Sequence, residues 1–258
     1  MNNTLIVLTP GQSTNSDMVP LLLEHLPAER VVYSGLLDGL PLVQIVQQYS
    51  AVAGEYVIPV NLNDGSKRML SAARIKRGLQ QRIDMLEDAG YELILLLSSE
   101  KFSGLTARRA TLLEPERIVP PLVEAIVEGH HVGIMLSQDG AKEQRVGKWK
   151  NLSHPPCFAV ASPENSDENR LIDAALSLQE QGADVVVLDS MGYQRRHRDF
   201  LQKLLGIPVL LPNVLVARLA AELLLYRSLG PVKKRDSPVK MPLYCLLTFV
   251  SDFKDLYA

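Results

Sequence analysis

Cysteine, tryptophan, net charge and long apolar runs are all scarce in this chain, and each scarcity removes a class of protein. Two cysteines in 258 residues, Cys157 and Cys245, are too few for a disulfide framework and lack metal-ligand spacing. That usage fits a reducing cytoplasm and gives no expectation of a metal. The 27 basic and 29 acidic residues leave a net charge of -2, so no basic footprint marks a nucleic-acid partner. The apolar runs at residues 5–8 and 243–250 are too short to cross a bilayer, and no basic residue precedes the first, so no secretory leader or membrane span is expected. The chain also lacks a Gly-Lys-Ser/Thr phosphate loop and a dinucleotide turn with three spaced glycines, and no cofactor is expected.

What is present is globular. A 47% hydrophobic and 22% charged composition suits one large α/β domain or two small ones. The run Val185-Val-Val-Leu188 has the β-branched content of a strand buried on both faces, and it stops at Asp189, Ser190 and Gly192 before a helical pattern over residues 193–205. In that segment Tyr193, His197, Phe200, Leu201 and Leu204 recur at spacings of three and four, which predicts an inner face with His197 on the core side. Among Arg195, Arg196 and Arg198, one in the first turn could reach back to an anion at the helix N-terminus.

Strands are expected at residues 4–9, 30–33, 56–61, 92–97, 131–137, 158–161 and 185–188. Helices are expected at 17–26, 41–49, 68–89, 122–128 after the Pro120-Pro121 pair, 142–149, 167–181 capped by Ser166, and 214–225 capped by Asn213. The strand and turn of residues 5–13 are echoed at 132–140, and those of 93–99 at 185–192. The reading is therefore an α/β protein of two pseudo-symmetric, doubly wound halves with mostly parallel sheets, residues 1–117 (joined by part of the last helix) and 118–228. Residues 229–258, rich in Pro and charge before a short apolar run, read as a linker and tail outside the core.

Open α/β sheets bind ligands at the carboxyl ends of their strands. Here those ends carry Gly11, Gln12 and Ser13; Ser98, Ser99 and Thr106; Ser137; and Ser190, Gly192 and Tyr193. Hydroxyls and main-chain amides from opposite sides suit a small carboxylate in a cleft between the halves, with glycines allowing close approach. The expected partner is that small molecule, with no nucleic acid, no membrane, and a homodimer left open.

The segments Leu8-Thr-Pro-Gly-Gln-Ser13, Leu112-Leu-Glu-Pro-Glu-Arg-Ile-Val-Pro-Pro-Leu122, Ala183-Asp-Val-Val-Val-Leu-Asp-Ser-Met-Gly-Tyr193, Gln194-Arg-Arg-His-Arg-Asp199, Leu205-Gly-Ile-Pro-Val-Leu210 and Asn213-Val-Leu-Val-Ala-Arg-Leu-Ala-Ala-Glu222 carry a resemblance. They resemble the aspartate/glutamate and hydantoin racemase superfamily and, within it, the AroM family, whose name reflects a gene context with aromatic biosynthesis. The resemblance implies a site at which the superfamily's racemases place one cysteine per half, to remove and return a proton beside a carboxylate. The matching positions are Ser98 or Ser99 and Ser190. A thiol with reference pKa of about 8.5 ionises at modest cost, whereas a serine needs a partner base. Asp189 is adjacent, and His197 is the other candidate; catalytic candidates are thus Ser98, Ser99, Asp189, Ser190 and His197. Two functions follow: a protein that binds a small carboxylic acid without two-cysteine chemistry, or an isomerase, lyase or hydrolase acting through Ser, Asp or His.

Overall fold

A computed structural model describes residues 2–13, 19–98, 100–137, 147–163, 168–190 and 192–228. Its centre is β1 (Asn2–Thr9), whose aliphatic stretch leaves no polar side chain between Leu5 and Leu8. The pleat sends Leu5 and Val7 into one core and Ile6 and Leu8 into another. Both faces are therefore covered, as expected for a central parallel strand. β1 pairs in parallel with β2 (Val31–Gly35) and with β5 (Tyr91–Leu96), and β6 (Thr111–Leu113) adds the far edge.

The second sheet repeats this plan. β7 (Val132–Leu136) lies between β8 (Cys157–Val160) and β9 (Val185–Asp189), and β10 (Val209–Leu210) follows at the edge. The spatial orders β2-β1-β5-β6 and β8-β7-β9-β10 are the same order of first, second, third and fourth strand, all parallel. The echo of strand and turn in the sequence is a repeated topology.

Helices α2 (Leu42–Tyr49) and α3 (Ala72–Asp88) contribute Ile45, Ile75, Leu79 and Ile83 to the core over Ile6, Leu8, Ile94 and Leu96. Each such fully buried aliphatic side chain stabilises by roughly 2 kcal/mol. Gly90, at φ 86°, lets the chain leave α3 in a left-handed turn that a side chain would strain. On the opposite face of the first sheet, α4 (Pro115–Ile126) and the last helix, α7 (Pro212–Ser228), pack together, and α7 also meets β1 and the short α1 (Val19–Leu23). The C-terminal helix of the described fold thus covers the N-terminal sheet. Helices α5 (Glu168–Glu180) and α6 (Arg195–Leu205) dress the second sheet.

Several local expectations change. The helix expected from residue 68 begins at Ala72, because residues 67–71 form β4 (Lys67–Ser71), antiparallel to β3 (Val57–Asn61) across a turn with Gly65 at φ 79°. Helix α4 starts at Pro115 and runs through Pro120 and Pro121 instead of starting after them. Pro115 needs no amide at the first helical position, whereas the inner prolines remove the bonds to the carbonyls of Glu116 and Arg117. Residues 147–150 are turn, not helix. Asn213 lies inside α7, and its side chain donates to the carbonyls of Ser190 (3.0 Å) and Tyr193 (3.3 Å) instead of capping. On α6, Leu201 and Leu205 are buried while Phe200 and Leu204 are 38% and 40% exposed; the inner face is rotated from the periodic reading. Expectations on Ser99, Ser166, residues 142–146 and the tail lie outside the described residues.

Candidate functional site

The first-sheet turn that follows β1 is fastened from behind. The Gln12 amide donates to the Asn61 carbonyl (3.1 Å), its Nε2 donates to the Leu37 carbonyl (3.2 Å), and its Oε1 accepts from the Asn63 amide (2.7 Å). The Ser13 amide donates to Asp38 Oδ1 (2.8 Å), and the Gly35 amide to Asp38 Oδ2 (2.6 Å). Gly11 is obligatory here, because a Cβ would stand 2.3 Å from the Asn61 carbonyl oxygen. The Gln12 and Ser13 amides are thus engaged by the β3–β4 hairpin and the Asp38 turn.

At the end of β5 the parity of the strand matters. Leu93, Leu95 and Leu97 face the larger core, whereas Ile94 and Leu96 face the α3 side. Ser98 is buried, and its hydroxyl accepts from the Glu100 amide (3.0 Å). Thr106 is exposed and tied to α3, its amide donating to Gln80 Oε1 (3.0 Å) and its carbonyl accepting from Gln80 Nε2 (2.9 Å). The same loop is pinned by Glu87, which is 3% exposed and accepts the amides of Arg108 (3.0 Å), Arg109 (2.6 Å) and Ala110 (2.8 Å). Burial alone would raise the Glu87 pKa, but the amides of Arg108, Ala110 and Arg109 outweigh it and hold it at about 2.

In the second sheet, Ser137 stands half-buried just past β7. Asp189, at the end of β9, is 7% exposed, and both its carboxylate oxygens are engaged: Oδ1 by Lys148 Nζ (2.6 Å) and Oδ2 by the Trp149 indole N–H (2.9 Å). Lys148 Nζ also reaches Glu116 Oε1 on the first turn of α4 (3.0 Å) and lies 5.2 Å from the centre of the Trp149 ring. Sequence reasoning missed Lys148, Trp149 and Glu116. The single tryptophan between two lysines, in Gly147-Lys-Trp-Lys150, was the available signal.

The remaining expected residues support the turn itself. The Ser190 hydroxyl accepts from the Gly192 amide (3.4 Å). Tyr193 is fully buried and its hydroxyl donates to the Ala161 carbonyl just past β8, with the Leu136 carbonyl at the end of β7 3.4 Å away; burial, then the Asp189 charge, push its phenol upward. Its ring packs inside the second-sheet core. His197 is the third residue of α6, and its Nδ1 accepts the Gln194 amide (3.0 Å) in a capping box. Burial first, and Arg196 second, depress its pKa, consistent with a neutral acceptor. Arg195 reaches Glu24 Oε2 (2.6 Å) and His25 Nε2 (3.2 Å).

Beside this network a cavity of about 910 Å³ opens between Tyr56 and the loop Glu100–Leu105 on one side and Glu116, Pro120 and Lys148 on the other. Among the described residues no group of three His, Cys, Asp or Glu side chains could hold a metal ion. Nor is any helix among them long and apolar enough to cross a membrane.

A scan against protein-family models matches residues 5–224 to AroM, described as AroM protein. The chain belongs to the AroM family. Curated protein sequences give no match. Solved structures do resemble this AroM-family chain. Unliganded arylmalonate decarboxylase, at 16% identity and a TM-score of 0.56, aligns over 91% of this chain and 96% of its own. Glutamate racemase from Francisella tularensis, in complex with D-glutamate, aligns over 94% and 90% with 14% identity and a TM-score of 0.52. Allantoin racemase from Klebsiella pneumoniae aligns over 93% and 97% with 12% identity and a TM-score of 0.51. This AroM protein shares its fold with these decarboxylase and racemase structures, the fold that the sequence resemblance implied.

Proposed function

We propose that this AroM-family protein binds a small carboxylic acid in a cleft between its two sheets, without two-cysteine racemase chemistry, as a cytoplasmic protein. One observation carries the reading. Asp189, the only acid adjacent to Ser190, has both carboxylate oxygens committed to Lys148 and Trp149, so it is not poised as the base a serine nucleophile needs. His197 is likewise occupied, its Nδ1 holding the Gln194 amide, and serines stand at both positions matching the superfamily's thiols. A glutamate racemase of this fold holds D-glutamate, which supports an acid of similar size as the ligand. In this reading the halves are residues 1–117, joined by part of the last helix, and 118–228, and residues 229–258 serve as a linker and tail that the binding function does not use, in keeping with a family match that ends at residue 224.

The test is a thermal-shift screen of acetate, benzoate, succinate, D-glutamate and shikimate, followed by mass spectrometry of the bound acid. At least one acid should raise the melting temperature and be recovered unchanged. Ser190→Tyr, which places a bulky ring at the strand-end turn, should abolish the shift while leaving the circular dichroism intact. In deuterium oxide the wild type should leave the α-proton of a bound amino acid in place, whereas Ser99→Cys with Ser190→Cys should restore exchange. Exchange by the wild type, or chemical change of the acid, would show an enzyme.

A further inference from the structure

The Lys148 ammonium has three N–H donors, and two are spent, on Asp189 Oδ1 (2.6 Å) and Glu116 Oε1 (3.0 Å). The side chain is only 9% exposed, so its third donor is largely withdrawn from water, a costly state unless an acceptor meets it. The Trp149 ring, 5.2 Å from Nζ, supports the charge but supplies no lone-pair acceptor, and Lys148 also lines the cavity of about 910 Å³.

The two carboxylates are not equivalent. Asp189 is 6% exposed at its side chain, sits closer, and is held a second time by the Trp149 indole. Glu116 is 14% exposed, sits farther off, and lies on the cavity wall itself. A carboxylate entering the cavity can therefore take the third N–H and compete with Glu116, while Asp189 and Trp149 keep Lys148 in place. The cavity tolerates the incoming charge, because Lys101, Arg117 and Lys150 line it too and offset Glu100, Glu116 and Glu124.

We propose that Lys148 is the cationic anchor for the ligand's carboxylate and that Glu116 is a resident competitor which the ligand displaces or shares. This rests on the carboxylate-binding reading and names the residue that executes it, one that lies outside the serine turns.

The experiment titrates acetate, benzoate, succinate, D-glutamate and shikimate into the full chain, read by calorimetry and by the fluorescence of Trp149, the only tryptophan. The Trp149 signal should change with saturation by whichever acid binds. Glu116→Gln removes the competing charge but keeps the shape, and should tighten binding of that acid about threefold or more. Lys148→Met should weaken it about tenfold or more, as loss of a charge-assisted hydrogen bond does. Should Lys148→Met fail to fold, Glu116→Gln alone decides. If the wild type binds an acid and Glu116→Gln binds it no tighter, the anchor assignment is overturned while the carboxylate-binding reading stands. If the wild type binds none of the acids, both fall.

Discussion

Replacing Glu87 by Gln isolates the contact that fixes the loop leading away from Ser98. The carboxylate accepts three main-chain amides through its two oxygens, at 2.6, 2.8 and 3.0 Å. It also takes the Arg108 guanidinium at 3.4 Å. Its pKa falls from the ordinary 4.5 to about 2. At about 1.4 kcal/mol for each tenfold in proton affinity, ionised Glu87 stabilises the fold by roughly 3 kcal/mol. Glutamine keeps one acceptor oxygen but turns an NH₂ toward backbone donors, so most of that contribution should be lost. In a chain of this size the loss corresponds to a melting point lower by about 6–12 °C.

The pH dependence follows from the sign. The folded pKa lies below the unfolded one, so the contribution is complete above about pH 4.5 and disappears as pH falls toward 2. Urea unfolding of wild type and E87Q should differ by roughly 3 kcal/mol at pH 7, by about half of that at pH 3, and by little at pH 2. A gap that is equally wide at pH 7 and pH 2.5 would refute the electrostatic account. Hydrogen exchange at the amides of Arg108, Arg109 and Ala110 gives a local check, since these should lose protection first.

Asp189→Ala leaves the Lys148 ammonium without its closer partner and the Trp149 indole N–H without an acceptor; it should destabilise by about 3 kcal/mol or more, measured by urea unfolding followed through Trp149 emission. Gly11→Ala places a methyl against the Asn61 carbonyl at 2.3 Å, and should cost about 2 kcal/mol or more by thermal denaturation. His197→Leu removes the acceptor of the capping box and should cost about 1 kcal/mol at pH 8. Because the folded His197 pKa lies below its ordinary 6.5, the histidine's contribution is complete above pH 6.5 and fades as pH falls below it, so the gap between wild type and variant should narrow there; a gap that widens would contradict the neutral cap.

Much of the fold could be read from single segments. Residues 5–8, 93–96 and 185–188 are apolar without interruption, which only a strand covered on both faces tolerates in a chain of this composition, and their polar ends recur at matching intervals. Local pattern therefore specified parallel strands, helices between them and a duplicated order, and the AroM motifs agreed. What it could not specify was where a side chain finds its partner. Residues 67–71 have enough periodicity for a helix, yet β3 offers a strand edge, and pairing across the Gly65 turn wins. Phe200 and Leu204 satisfy a helical stripe, but the capping box of Gln194 and His197 sets how α6 begins, and Leu201 and Leu205 face the core. Asp189 reads in sequence as a base beside Ser190; in the folded chain Lys148 and Trp149, some forty residues earlier, take both its oxygens. A residue's neighbours along the chain determine its backbone, whereas its charge partners come from segments that only the sheet's topology brings together.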